Sequence, residues 1–311
     1  MADPLKMKIV VGQYGHTEPV TSGRIPLPGV QPEFIKVEPL IAAFRRMVRD
    51  VEFDACEVAC TTYIASRAYG RPFKALPLFL MRNFHHAGIV YRDDAGIKVP
   101  KDLEGKKLGA PAPDGAYAQW KIFTQANGID ASKVTIENVG FPVREPMLQN
   151  GQVDAITGFS FSSFINLKSM GVPTDDIVVM LMADHGVNLY GNTIIVNPKF
   201  AAEKPEAVKG FLRAFVKGLK DTVTNTATAV DSVIKRNDVA KKDIELERLR
   251  MALKDNMVTD EVKRIGYGAV DPARLEKAIE QIGLTYEFKN PKPKAAGSPG
   301  AFLRLVSLDQ A

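Results

Sequence analysis

The apolar residues fall first into short extended runs and later into helical stripes. Residues 9–12 form an apolar run closing on Gly12, with a polar loop behind it over 13–19. Residues 33–37 alternate apolar and polar and predict a second strand. Ile41, Phe44 and Val48 recur at helical spacing and predict a helix over 41–49. Residues 54–59 read as the next strand, with Thr61 and Thr62 as caps for a helix starting near Tyr63. Residues 74–79 and 86–91 are extended, and Asp93, Asp94 and Gly96 punctuate the second of these.

The alternation continues downstream. A strand over 107–110 leads into a small-residue loop over 113–116, then a helix over 117–127 stopped by Gly128. Further strands are predicted over 134–139, 153–158, 177–181 and 193–197, with a short helix over 145–150 closed by Gly151. From Lys199 the pattern is mainly helical. Pro205 opens one helix, with Phe211, Phe215 and Leu219 on one face. Pro272 opens another, striped by Leu275, Ile279 and Ile282. The tail from Lys289 is rich in proline and glycine and reads as loop. Strands alternating with helices imply mixed, mostly parallel sheets flanked by helices, an α/β architecture. The helical last third fits as a return that covers a first lobe.

Composition narrows the function classes. The 311 residues are 45% hydrophobic and 25% charged, ordinary for a globular chain with room for two domains. The net charge of +5 comes from 41 basic and 36 acidic residues spread along the chain. Short basic runs such as Arg45-Arg46 and Lys241-Lys242 read as solvated helix faces, and nothing resembles a nucleic-acid motif. A mild positive balance favours an anionic ligand. Cys56 and Cys60, on a strand reading, lie on one face about 13 Å apart, too far for a disulfide. Buried free thiols are expected, and neither a CxxC pair nor a zinc quartet exists. No apolar run is long enough to span a membrane. No secretory signal is visible, so the chain is either cytoplasmic or a periplasmic protein whose leader was removed.

Several polar groups fall where strands end. Tyr14, His16 and Thr17 follow the first strand and can donate to a carboxylate, or form a solvated turn. Thr61 and Thr62 can contact an anion, cap a helix, or do both. Arg82 with Phe84 and His85 is the sharpest cluster. Arginine grips carboxylates in bidentate fashion and phenylalanine stacks on a ring. A surface ion pair is the alternative for Arg82. His85 and His86 point oppositely on a strand, and two histidines alone make a poor metal site. Gly115, Ala116 and Tyr117 form a turn where backbone N–H groups can approach an anion. The turn lacks the Gly-Lys-Ser/Thr ending of a phosphate loop. Arg144 can meet a second carboxylate or pair with Glu145. Ser160 and Phe161 mix hydroxyl and aromatic character, and Asn188 and Tyr190 suit either ligand contact or hinge packing. No catalytic residue, metal or cofactor is assigned.

Certain stretches carry a family resemblance. The run Leu148-Gln149-Asn150-Gly151-Gln152-Val153-Asp154-Ala155 resembles an element of periplasmic solute-binding proteins of the nitrate, sulfonate and thiamine-precursor type. So do the stretches beginning Tyr190-Gly191-Asn192-Thr193, Lys204-Pro205-Glu206-Ala207 and Asp271-Pro272-Ala273-Arg274, and Tyr286-Glu287-Phe288. The first third is similar to 4,5-dihydroxyphthalate decarboxylase, through Phe53-Asp54-Ala55-Cys56-Glu57, Ala75-Leu76-Pro77-Leu78-Phe79, Arg82-Asn83-Phe84-His85-His86 and Pro100-Lys101-Asp102-Leu103-Glu104-Gly105. The resemblance implies the two-lobed type II periplasmic-binding-protein fold. Lobe 1 would comprise 1–94 and 193–311, lobe 2 would comprise 95–192, and the crossings would lie near 92–96 and 188–193. It implies a monomeric binding component of an ABC transporter, working with a membrane permease. Its ligand would be a small anion, an aromatic carboxylate such as phthalate, held in the interlobe cleft. A decarboxylase, with His16 or His85 as proton donor, is the alternative, and a cofactor-precursor biosynthetic protein is a third reading.

Overall fold

The computed structural model describes residues 4–14, 17–80, 87–267 and 269–285. The expectations placed on His16, Arg82, Phe84, His85 and the tail from Tyr286 lie outside the described residues. In chain order the strands are β1 Leu5–Val10, β2 Val30–Phe34, β3 Ala55–Ala59, β4 Lys74–Phe79, β5 Ala87–Arg92, β6 Lys107–Gly109, β7 Thr135–Glu137, β8 Ala155–Phe159, β9 Ile177–Leu181 and β10 Asn192–Val196. The α-helices are α1 Glu18–Thr21, α2 Leu40–Asp50, α3 Cys60–Ala68, α4 Trp120–Ala126, α5 Phe141–Gln149, α6 Ser160–Ser169, α7 Pro198–Glu203, α8 Pro205–Thr224, α9 Thr226–Ile234, α10 Lys242–Ala252, α11 Asp260–Ile265 and α12 Pro272–Thr285.

The chain divides into two compact units. Of the described residues, those between 4 and 80 and between 190 and 279 belong to unit 1, and those of 87–189 and 280–285 belong to unit 2. Each unit holds one five-stranded sheet, ordered β2-β1-β3-β10-β4 in unit 1 and β7-β6-β8-β5-β9 in unit 2. In both sheets the first three strands run parallel. In both, the fourth strand, β10 or β5, runs antiparallel to its two neighbours. β5 is therefore hydrogen-bonded into the unit 2 sheet, although its residues precede the first expected crossing near 92–96. The later passage, from unit 2 back to unit 1, comes at 189/190.

Three local readings are corrected. β1 and β2 both start several residues earlier than their apolar runs suggest, because they pair from Leu5 and Val30 onward. β2 is an edge strand, which tolerates Pro32 without losing a ladder bond. α3 follows β3 without a break and has Ala59 at its N-cap, so Thr61 and Thr62 lie inside the first turn, past the cap position. α5 starts at Phe141, with a proline in its first turn and Pro146 within it, so Arg144 lies inside the helix and not ahead of it.

Packing follows strand alternation. On one face of the unit 1 sheet, Met7, Ile9, Ala55, Ile194 and Val196 pack with Val208, Phe211 and Phe215 of α8. On the other, Val10, Cys56, Val58 and Ile195 pack with Ala43, Phe44 and Met47 of α2. Cys56 and Cys60 are buried and free, as expected, although Cys60 begins α3 and is not a strand residue. Unit 2 is centred on Val90, Leu148, Val153, Ile156, Leu167 and Ile177. Among the described residues no helix is long and apolar enough to cross a membrane.

Candidate functional site

In an open parallel sheet, ligands gather outside the carboxyl ends of the strands, where strand order reverses. That point lies between β1 and β3 in unit 1 and between β6 and β8 in unit 2. Both places carry a buried polar cluster.

In unit 1 the cluster centres on Glu57, the third residue of β3. Its side chain points to the same face as Ala55, into the layer packed by α8, and is wholly buried. Burying an unpaired carboxylate costs several kcal/mol, and here three donors converge on it. The Gly12 N–H donates to Oε2 at 2.8 Å. The Tyr14 hydroxyl donates to Oε1 at 2.7 Å, and Asn192 Nδ2 donates to the same oxygen at 2.8 Å. Burial raises the carboxyl above its ordinary range despite these bonds. Burial, and then the nearby Glu57, also hold the Tyr14 phenol well above its usual value, so it stays a donor.

The loop after β1 is built around this carboxylate. Tyr14 lies across Gly12, and a Cβ there would run into the phenol ring, so glycine is required by close approach. Thr17 is fully buried, and its hydroxyl donates to the Gly12 carbonyl at 2.7 Å while accepting from Tyr14 N–H at 2.9 Å. Thr17 is thus a loop brace, and Tyr14 is held half-buried above Glu57. Beside the loop lies a cavity of about 510 Å³ lined by Val11, Phe34, Val37, Leu40, Lys36 and Arg236, among others.

Unit 2 repeats the design with different chemistry. Thr157, the third residue of β8, donates to Asp114 Oδ2 at 2.7 Å. Asp114 Oδ1 accepts the Ala116 N–H at 3.1 Å and so fixes the loop after β6. Ala116 is buried with that N–H engaged, Gly115 gives its carbonyl to Gln119 Nε2, and Tyr117 opens a short 3-10 turn. Arg144 is buried and donates to Glu145 Oε1 at 2.6 Å and to Ser163 at 3.1 Å, with Asp114 Oδ2 at 3.7 Å. Gly158 leaves room for this network, because a Cβ there would strike Ser163 Oγ.

α6 leaves β8 directly, with Phe159 at the N-cap and no side-chain cap bond. Its first residue, Ser160, is buried, and its hydroxyl has no partner among the described residues. The rings of Phe159 and Phe161, on either side of it, lie parallel with centroids 5.8 Å apart.

Asn188 and Tyr190 belong to other surroundings. Asn188 N–H donates to Gln281 Oε1 at 2.8 Å, within unit 2. Tyr190 is buried in unit 1, donates to Glu261 at 2.9 Å, accepts from Asp271 N–H at 3.0 Å, and has the Arg274 guanidinium 4.1 Å above its ring. The structure gathers Tyr14 with Thr17 beside Glu57, and Ala116 with Arg144 around Asp114, through acids absent from the sequence-based set, while Ser160 has no hydrogen-bond partner among the described residues. Glu57, Asn192, Asp114, Glu145, Thr157 and Ser163 all lie outside that set. The available signal was a lone glutamate in the apolar strand Ala55-Cys56-Glu57-Val58-Ala59. Among the described residues no group of His, Cys, Asp or Glu is arranged to hold a metal ion.

Comparisons with known proteins agree with this architecture. A family model described as NMT1/THI5 like matches residues 52–229. The 4,5-dihydroxyphthalate decarboxylase of Pseudomonas putida is 34% identical over 140 residues, 44% of this chain and 54% of that protein. The riboflavin-binding protein RibY of Chloroflexus aurantiacus is 28% identical over 172 residues, 55% of this chain and 47% of that protein. The chain thus spans about half the length of these curated relatives. The periplasmic aliphatic sulphonate-binding protein SsuA of Escherichia coli has the same fold, with a TM-score of 0.71 at 13% identity over 92% of this chain and 87% of its own.

Proposed function

The chain belongs to the NMT1/THI5-like family, and on that premise we propose that it is the solute-binding component of an ABC importer. Its ligand is a small organic anion, an aromatic carboxylate of the phthalate type. It works in the periplasm and hands the ligand to a membrane permease.

The observation that carries this reading is the start of α6. A ten-residue helix presents first-turn N–H groups with no side-chain cap, and beside them sits a buried hydroxyl with no partner among the described residues. Leaving that hydroxyl unpaired is costly unless a ligand completes it. Helix N–H groups and a hydroxyl suit the oxygens of a carboxylate or sulfonate. The parallel Phe159 and Phe161 rings favour an aromatic body over an aliphatic one. The mild positive charge of the chain assists capture.

The relatives named as decarboxylases motivate a second reading, an enzyme acting on a dihydroxyphthalate-like acid. Removal of CO2 from a ring requires a proton donor within reach of the ring carbon. Glu57 is the carboxyl at the unit 1 switch point, but it is wholly buried and engaged by three protein donors. That arrangement favours positioning over proton transfer, and so favours binding.

Calorimetric titration with phthalate, terephthalate, benzoate and taurine tests the proposal. We expect stoichiometric binding of phthalate, at micromolar affinity or tighter. Absence of heat with every one of these ligands would remove the aromatic-anion assignment.

A further inference from the structure

The cavity beside the Tyr14 loop lies wholly within unit 1 and has no part in the anion reading above, which rests on the start of α6 in unit 2. It is fenced by the segments that follow β1 and β2. These two strands are parallel neighbours, so both segments leave the sheet at its carboxyl edge, where α/β sheets receive ligands. A volume of about 510 Å³ suits a drug-sized organic molecule.

The walls are apolar and backed by core. Phe34 and Tyr14 lie against the cluster on one face of the sheet, and Val37 and Leu40 against the cluster on the other. These four side chains are half-buried, and Val11 behind them is buried. An apolar body seated here would remove the remaining wall area from water.

The rim is cationic. Lys36 follows β2, Arg236 follows α9, and both line the cavity. Lys36 pairs with Glu38 at 2.7 Å, with both side chains largely exposed. Arg236 meets Glu18 at 3.4 Å, a carboxylate that Arg24 also holds at 3.2 Å. Exposed pairs of this kind are weak and exchange partners at little cost. Against the two cations the lining sets a single carboxylate, Glu38.

We propose that this cavity is a second ligand site, for an organic anion with a bulky apolar body. Lys36 and Arg236 hold the anionic head, and Phe34, Val37 and Leu40 cover the body. Glu38 opposes binding by competing for Lys36, so its removal strengthens the site. A purely structural surface pair has no such sign.

The test titrates the full chain with anilinonaphthalenesulfonate, read by its fluorescence, and with N-phenylnaphthylamine, which has the same rings without the sulfonate. Wild type is compared with Lys36→Ala, Arg236→Ala and Glu38→Gln, all at exposed positions that leave the core intact. The sulfonate is expected to bind saturably and stoichiometrically. Each loss of a cation weakens it about threefold or more, and Glu38→Gln strengthens it. Added salt shrinks these differences, and the uncharged amine ignores all the substitutions. Saturating phthalate leaves the sulfonate bound. A signal that does not saturate, or a sulfonate affinity unchanged by every variant, overturns the inference. So does stoichiometric displacement by phthalate, which would make this cavity the phthalate site. Failure of phthalate to bind at all removes the earlier reading, while the variants still decide this one.

Discussion

A carboxyl group held inside an apolar strand keeps its proton to higher pH than one in water, and Glu57 makes this measurable. Its folded-state value is raised, first by burial. The stability it contributes is therefore fully present below the ordinary carboxylate range of about 4 to 5 and is lost as pH rises through the folded value. Relative to Glu57→Gln, wild type should be most stable at acid pH and lose that advantage toward neutrality, as read from melting temperatures across the pH range. The two thiols behave in the same sense. Burial pushes Cys60 up to about 12 and raises Cys56 as well. Neither should react with a thiol reagent at pH 8 until the chain is unfolded, so rapid labelling of the native protein would contradict their burial. At Gly12 the decisive feature is space. Gly12→Ala forces Tyr14 off Glu57, and it should weaken ligand binding while costing about 1–3 kcal/mol of stability in denaturant unfolding.

The elements show where local sequence is a good guide and where it is not. α2 and α8 carry clean apolar stripes, and both lie close to their expected spans. α6 has no such signal. Its sequence is crowded with serines, and two of them, Ser160 and Ser163, are buried, the second bonded to Arg144 and Glu145, which breaks the apolar period. For α5 the sequence reading starts the helix at Glu145, after Arg144, yet the helix begins at Phe141 with Pro142 in its first turn, where proline is tolerated. β5 reads as part of the first lobe because a strand buried on both faces shows no alternation to tell which sheet receives it. Gly158→Ala, at the end of β8, drives a methyl group into Ser163 Oγ and against Arg144. It should lower stability by about 1–3 kcal/mol, measurable by chemical denaturation. α12 has a different duty. Arg274 covers Tyr190 and pairs with Glu261 at 2.6 Å, both side chains being nearly buried. Arg274→Ala removes the guanidinium from both Glu261 and the Tyr190 ring, and it should cost more stability than deleting an exposed pair such as Lys199 with Glu203.

At the scale of the whole molecule, the fold class was legible because strand and helix periods alternate in order through both units. The buried acids were not legible. Each acquires its role from a distant partner, as Glu57 does from Asn192, 135 residues on, and Asp114 from Thr157, 43 residues on. Spacing along the chain carries no trace of such pairings. What emerges is one sheet plan used twice, with a buried polar residue at the same point of β3 and β8 anchoring the loop of the neighbouring strand. The central claim is that this plan serves capture and not conversion. It is tested most directly by incubating the protein with carboxyl-labelled 4,5-dihydroxyphthalate and measuring both the bound acid and the released CO2. The account predicts one equivalent bound, recovered intact on denaturation, with no labelled CO2. Release of many equivalents of CO2 per protein would contradict it and establish the chain as a decarboxylase.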